Sequence, residues 1–263
     1  MDDLTPIDAA HAAMTTAPED ETARLRFYDR LANAELFVLL QVEPEGDEIT
    51  PEVFDLSDNS FVLAFDREMR LTAFTNRPSP YAALSGRAIC RMLAQAGLGL
   101  GLNLDVAPSA YLVPPEAVAW LAETLDIAPD ELQGKVENIF PPKGLPEELL
   151  PALDAKLASA TGLASSAYLV GVRYDSGVQG HLLGLVDAAP GAEPALARAV
   201  SEALTFSGLA AASLDVAFFR SSDPMAAHLA RHGLRFDLPL RETGKAPGPA
   251  APGMDPDKPP ILK

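Results

Sequence analysis

The chain has a single cysteine, Cys90, among its 263 residues. One thiol makes no internal disulfide, so nothing in the sequence marks an oxidising compartment or a stapled small fold. Long apolar runs are missing as well: none reaches the ~18 residues needed to cross a bilayer. The opening stretch, MDDLTPIDAAHAAM, is acidic where a secretory leader is basic, and it has no continuous apolar core. These absences predict a cytoplasmic protein. Positive charge is scarce: 20 Lys and Arg stand against 37 Asp and Glu, for a formal net charge of −17. Binding to a phosphate backbone draws on clustered Lys and Arg, so this balance argues against nucleic acid and against an anionic membrane surface. It favours solubility and repulsion between copies.

Motifs of catalysis and cofactor binding are also lacking. The glycine run GLGLGL (97–102) invites a nucleotide reading. The dinucleotide fingerprint, however, spaces its glycines as G-x-G-x-x-G and places them between a strand and a helix, so that the helix N-terminus meets the pyrophosphate. Here the spacing is G-x-G-x-G and the order is helix then strand, which suits close packing and capping. Gly-Lys is nowhere followed by Ser or Thr, and no G-x-S-x-G elbow occurs. His228 and His232 have a spacing that can set two imidazoles on one metal, with His181, Asp223 or Asp237 as conceivable third donors. Glu is absent beside His228 and Arg231 adjoins the pair, so an exposed helix face is the plainer reading. Cys90 lies between Ile89 and Arg91 on an amphipathic stretch and reads as a small buried hydrophobe. Carboxylates are too plentiful for any two to be singled out as acid and base. No cofactor is expected.

What is present is a well-patterned globular chain, 48% hydrophobic and 22% charged. Thr5 and Pro6 read as a cap and first-turn proline of a short Ala-rich helix over 4–14. A second helix is predicted from about Pro18 to Ala34, with Leu25, Tyr28 and Ala32 on one face and acid in its first turn. Leu36–Val42 reads as a buried strand, Val53–Leu56 as a short one, and Ser60–Phe65 as a strand apolar on both faces and so inside a sheet. REMRLTAF reads as one or two helical turns, with a strand at Leu71–Phe74 as the alternative. NRPSPY is a loop by its prolines. A helix over Ser85–Ala96 follows, capped by Ser85 and closed by Gly97. Leu100, Leu102 and Leu104 of GLGLNL are predicted on one face of a strand. Ser109–Val113 forms another strand, and Pro114-Pro115 opens a further helix.

Residues 128–146, dense in Pro and Gly, read as a connection with a helical turn at PDEL. Beyond them come a helix near Glu147–Ala160, a hairpin of Ala167–Tyr174 and His181–Val186 turned by DSGVQG, and a helix over Glu193–Ser207. A strand at Ser213–Phe219, a helix to His232 and a short strand at Leu234–Phe236 complete the second half. The fold class predicted is α+β: two small mixed α/β domains, 18–127 and 147–238, each a few-stranded sheet packed on helices. Residues 239–263 are expected to be a disordered tail, since they hold too few bulky apolar groups to offset ordering entropy. The two halves share a coarse strand–strand–helix–strand order, which is common, and no residue-level repeat.

A candidate recognition surface lies around the NRPSPY loop. Asn76, Arg77, Tyr81 and Arg87 surround it, with Asn103 on the neighbouring strand. Arginines, a tyrosine and amides close together in an acidic protein suit recognition, although a solvated loop with ordinary caps would look the same.

The stretch LFVLL, VFDLSDNSFVLAFDREMRLTAF, GRAICRMLAQAG and GLGLNLDVAPSAYLVPPEAVAWL resembles the N-terminal domain of the SseB family, the family of the enhanced serine sensitivity protein. The family's Asn-Pro-Gly turn is Asn103-Leu104-Asp105 here. The second half, through VAFFRSSDPMAAHLARHGLRF, is similar to the family's C-terminal domain, less specifically. The resemblance implies a fold and carries over no catalytic residue. The expectation is a non-enzymatic cytosolic binding or regulatory module acting on a protein partner. The alternative is a small-ligand binder or enzyme with a pocket near Arg77, Arg87 and Asn103.

Overall fold

A computed structural model describes residues 4–44, 49–56, 58–127, 136–209 and 214–239. The chain is α+β, with two mixed sheets, and it divides into two compact units. The first unit comprises Met1–Gln133, Gly144–Leu153 and Ala197–Ser213; the second comprises Gly134–Lys143, Asp154–Leu196 and Leu214–Lys263.

In the first unit the order is α1 (Pro6–Thr16), α2 (Glu21–Asn33), β1 (Glu35–Leu39), β2 (Val53–Leu56), β3 (Asn59–Phe65), α3 (Glu68–Thr75), β4 (Tyr81–Ser85), α4 (Gly86–Ala96), β5 (Gly99–Leu102), β6 (Tyr111–Val113) and α5 (Pro115–Asp126). The sheet runs β4-β1-β3-β5-β6, and β2 pairs with β3. β3 and β5 are parallel; the other pairs are antiparallel. Both faces of β3 are covered, as its sequence predicts. Val62 and Ala64 join the main core with Phe27, Leu31, Ile89, Leu93, Leu100, Leu121 and others, while Leu63 and Phe65 pack with Leu39 and Leu71 of α3 on the opposite face.

Local chemistry explains the helix ends. Thr5 and Asp8 form a capping box at α1, with Pro6 in its first turn. Asp20 accepts from the Thr22 and Ala23 N–H groups at α2. Ser85 Oγ accepts from the Ala88 N–H at α4, and Gly97 closes that helix at φ +67°.

Three details differ from the sequence reading. Tyr81–Ser85, expected as loop and cap, is a strand antiparallel to β1. Ala and Leu have little strand preference of their own, and pairing with β1 decides the conformation. REMRLTAF, by contrast, forms the helical turns expected of it, at Glu68–Thr75. Leu104 does not share a face with Leu100 and Leu102. The chain leaves β5 at Asn103 (φ +49°), and Leu104 turns to the α3 side, where it packs on Leu63, Phe65 and their neighbours. The strand expected over Ser109–Val113 begins only at Tyr111, because Ser109 is engaged in a buried polar cluster.

The second unit holds β7 (Val136–Phe140), β8 (Ser166–Tyr174), β9 (Gln179–Val186), β10 (Asp215–Phe219), α8 (Pro224–His232) and β11 (Leu234–Asp237). α6 (Leu149–Ser159) and α7 (Glu193–Phe206) each contribute residues to both units. The sheet runs β10-β9-β8-β11, with β7 also on β8. β11 pairs with the first half of β8 and β7 with its second half, so two short strands share one edge. β7 corrects the reading of 128–146 as connection alone: Val136, Ile139 and Phe140 lie against β8, with a register shift after Val136. The helical turn expected at PDEL and, from residue 240 onward, the expected tail lie outside the described residues.

Candidate functional site

Among the described residues of the first unit, a buried polar constellation lies just beyond the carboxyl ends of the parallel pair β3–β5. Asp66 follows β3 directly and Asn103 follows β5. Arg70 comes from the first turn of α3, Thr5 and Asp8 from the start of α1, and Ser109 from the turn before β6. Arg70 grips Asp8 with both terminal nitrogens, Nη1 to Oδ1 at 3.1 Å and Nη2 to Oδ2 at 2.6 Å, and Nη1 also donates to Asp66 Oδ1 at 2.8 Å. Ser109 Oγ donates to Asp8 Oδ1 at 2.5 Å, and Asn103 Nδ2 donates to Ser109 Oγ at 2.9 Å. Asn103 Oδ1 accepts from the Asp66 N–H at 3.1 Å, and Thr5 Oγ1 donates to Asp66 Oδ2 at 2.5 Å.

These groups are out of water: Asp8, Arg70, Asn103 and Ser109 are each at most 3% exposed. Burial alone would raise the Asp8 carboxyl. The hydrogen bonds it accepts from Arg70, Ser109 and the Thr5 N–H outweigh that and hold it well below the ordinary aspartate range. Asp8 therefore stays ionised at neutral pH and is not poised to exchange a proton. The space beyond the carboxyl ends of parallel strands is where open α/β sheets commonly take ligands. Here the first turn of α1 fills it, and the chemistry performed is a tie between α1, α3 and the turn after β5.

The five residues of the expected recognition surface separate. Asn103 is part of this closed cluster. Asn76 is the left-handed C-cap of α3 (φ +53°) and is exposed, as is Arg77 beside it. Tyr81 begins β4 and packs edge-on against Phe37, ring centres 5.4 Å apart. Arg87, in the first turn of α4, makes a two-pronged pair with Glu202 at 2.9 and 3.0 Å and reaches the Leu125 carbonyl at 3.4 Å. Asn76, Arg77 and Tyr81 are neighbours around one loop; Arg87 and Asn103 answer to different partners. Sequence reasoning missed Asp8, Asp66 and Arg70. The local signals for them are the Thr5-x-x-Asp8 capping spacing and the i, i+4 spacing of Asp66 and Arg70.

His228 is exposed and His232 half-buried on α8. The conceivable third donors are occupied elsewhere: His181 Nε2 lies 3.0 Å from the Lys143 carbonyl, Asp223 accepts from the Arg220 N–H, and Asp237 pairs with Arg235. Among the described residues, no three His, Cys, Asp or Glu side chains come together to hold a metal. Cys90 is fully buried, and burial pushes its thiol up to about 12, so the thiolate a nucleophile needs is scarce.

A different feature stands on the surface of the first unit. All four residues of β2 are exposed, three of them large and apolar: Val53 at 43%, Phe54 at 37% and Leu56 at 50%. β2 takes its ladder from β3 on one side, and among the described residues no strand lies along the other.

Residues 9–120 match the family model described as the SseB protein N-terminal domain. No curated protein and no solved structure matches the chain.

Proposed function

The chain is an SseB-family protein by its N-terminal domain, and on that premise we propose that it is a non-enzymatic cytosolic module that works by binding another protein. The observation that carries this reading is β2, where Val53, Phe54 and Leu56 expose apolar side chains, Phe54 and Leu56 side by side on one face. Grouped exposed apolar residues on a soluble domain commonly mark an interaction surface. The closed state of the Asp8–Arg70–Asp66 cluster supports the same reading, since its polar groups are engaged with one another inside the fold. The likeness of the second half to the family's C-terminal domain is part of the proposal, and the α+β order of its strands and helices supports it.

The test is affinity capture of the full chain from its native lysate, read by quantitative mass spectrometry against an unrelated protein of equal net charge. At least one protein is expected to be enriched reproducibly over that control, with the contact mapped to the first unit by hydrogen exchange. Absence of any reproducible partner, or a metabolite that the chain turns over, would overturn it.

A further inference from the structure

We propose that β2 is a site of β-strand addition, and that its occupant is an extended protein segment alternating apolar and basic residues. This rests on the protein-binding reading above and names the mode and chemistry of that contact.

Three features converge on the assignment. First, β2 has an open edge: β3 lies along one side, and no described strand lies along the other. An open edge presents N–H and C=O groups in strand geometry, and natural edges are usually blunted with lysine, proline or a cover. β2 reads Val-Phe-Asp-Leu: it carries neither lysine nor proline, and its one charged side chain, Asp55, sets the sign that a partner must match. Second, its side chains form a readable surface. Phe54 and Leu56 stand on the face they share with Phe61, while Val53 and Asp55 stand on the other, where Ser60 Oγ donates to Asp55 at 2.6 Å. A strand laid beside β2 would place alternate residues against Phe54 and Leu56 and the intervening ones beside Asp55. Third, the charge has one sign. No Lys or Arg occurs between Arg30 and Arg67, whereas Glu43, Glu52, Asp55 and Asp58 flank or occupy the strand. Apolar residues on one face and Lys or Arg on the other complete this edge.

A second copy of the chain is a poor occupant. Pairing β2 with itself would bring acidic strands together in molecules that each carry a net charge of −17.

The probe is the peptide acetyl-Lys-Val-Lys-Val-Lys-Val-amide, titrated into the isotope-labelled full chain and followed by NMR and amide exchange. Two further peptides carry backbone N-methyl groups, on the lysines in one and on the valines in the other. A fourth replaces each lysine with glutamate. The parent peptide is expected to shift and protect the amides of Val53–Leu56 and to bind at least tenfold more weakly in 0.5 M salt. Because a strand offers only alternate residues to its neighbour, one methylated peptide should lose at least tenfold and the other should bind like the parent. The glutamate peptide and the exposed-site variant Phe54→Lys should each lose at least tenfold, the variant melting within a degree or two of the parent chain. Leu56→Lys serves as a second variant with the same expectation.

Equal binding by both methylated peptides, equal binding by the glutamate peptide, or shifts confined to another surface would overturn the assignment. So would a dimer in sedimentation that Phe54→Lys dissociates, which would put a second copy on the edge. If a partner captured from lysate still binds Phe54→Lys, the edge assignment fails while the broader reading stands. If no partner is captured at all, the broader reading fails.

Discussion

Arg70 is the residue on which the buried polar cluster turns. It is the one cation between two buried carboxylates, Asp8 and Asp66. Removing one partner of a buried pair costs more than the pair contributes, because the remaining charge is stranded away from water. Arg70→Ala is therefore expected to cost about 3–5 kcal/mol, read as a lowered urea midpoint by the fluorescence of Trp120, the chain's one tryptophan. Asp8 adds a pH dependence. Its folded-state pKa is depressed, so its stabilisation is present above the ordinary aspartate pKa and is lost as pH falls below about 4. The parent chain should lose stability steeply in that acid range and Asp8→Asn should have a flatter profile. Parallel profiles would show that Asp8 carries no such linkage.

At the scale of elements, the end of α2 and the start of α4 approach closely. The Gly86 N–H donates to the Ala34 carbonyl at 2.8 Å, and a Cβ on Gly86 would fall 1.8 Å from the Leu31 carbonyl oxygen. That neighbour is backbone and cannot rotate aside. Gly86→Ala is expected to cost about 3 kcal/mol or more, at the upper end of overpacking. Gly97→Ala meets open space and carries only the left-handed strain of about 1–2 kcal/mol. Denaturant midpoints for the two variants should rank in that order.

The same scale shows what the sequence made visible. Caps at Thr5, Ser85 and Gly97 are local patterns, and they are legible in the sequence. β4 is not, because YAALS becomes a strand only through its pairing with β1. The polar cluster was hidden for a related reason. Arg70 and Asp8 are 62 residues apart, and Ser109 and Asp8 are 101 apart, so no short window contains them. Asn103 was singled out for its position near a loop, and it proves to be a buried member of that cluster.

For the whole molecule, the net charge of −17 is the dominant long-range quantity. Like charges on a compact chain repel one another, and added salt screens them within about 10 Å at 0.1 M. Salt also weakens exposed pairs such as Arg91–Asp126 and Arg235–Asp237, but such pairs contribute little. Repulsion should dominate, so the melting temperature is expected to rise from about 10 mM to about 300 mM sodium chloride, as the shortened Debye length implies. A fall would mean that the surface pairs act as a network.

Two ion pairs of the first unit, Arg70–Asp8 and Arg87–Glu202, bear on where a gene might be cut. The family match spans 9–120, one residue short of Asp8 and far from Glu202. A polypeptide trimmed to those ends would keep Arg70 and Arg87 and lose the carboxylate that each one grips through both prongs. It would also keep Trp120 without Phe206, whose ring meets it at 6.4 Å. The segment that announces ancestry is thus smaller than the set of residues its own side chains grip, and kinship and contact draw different borders on the same chain.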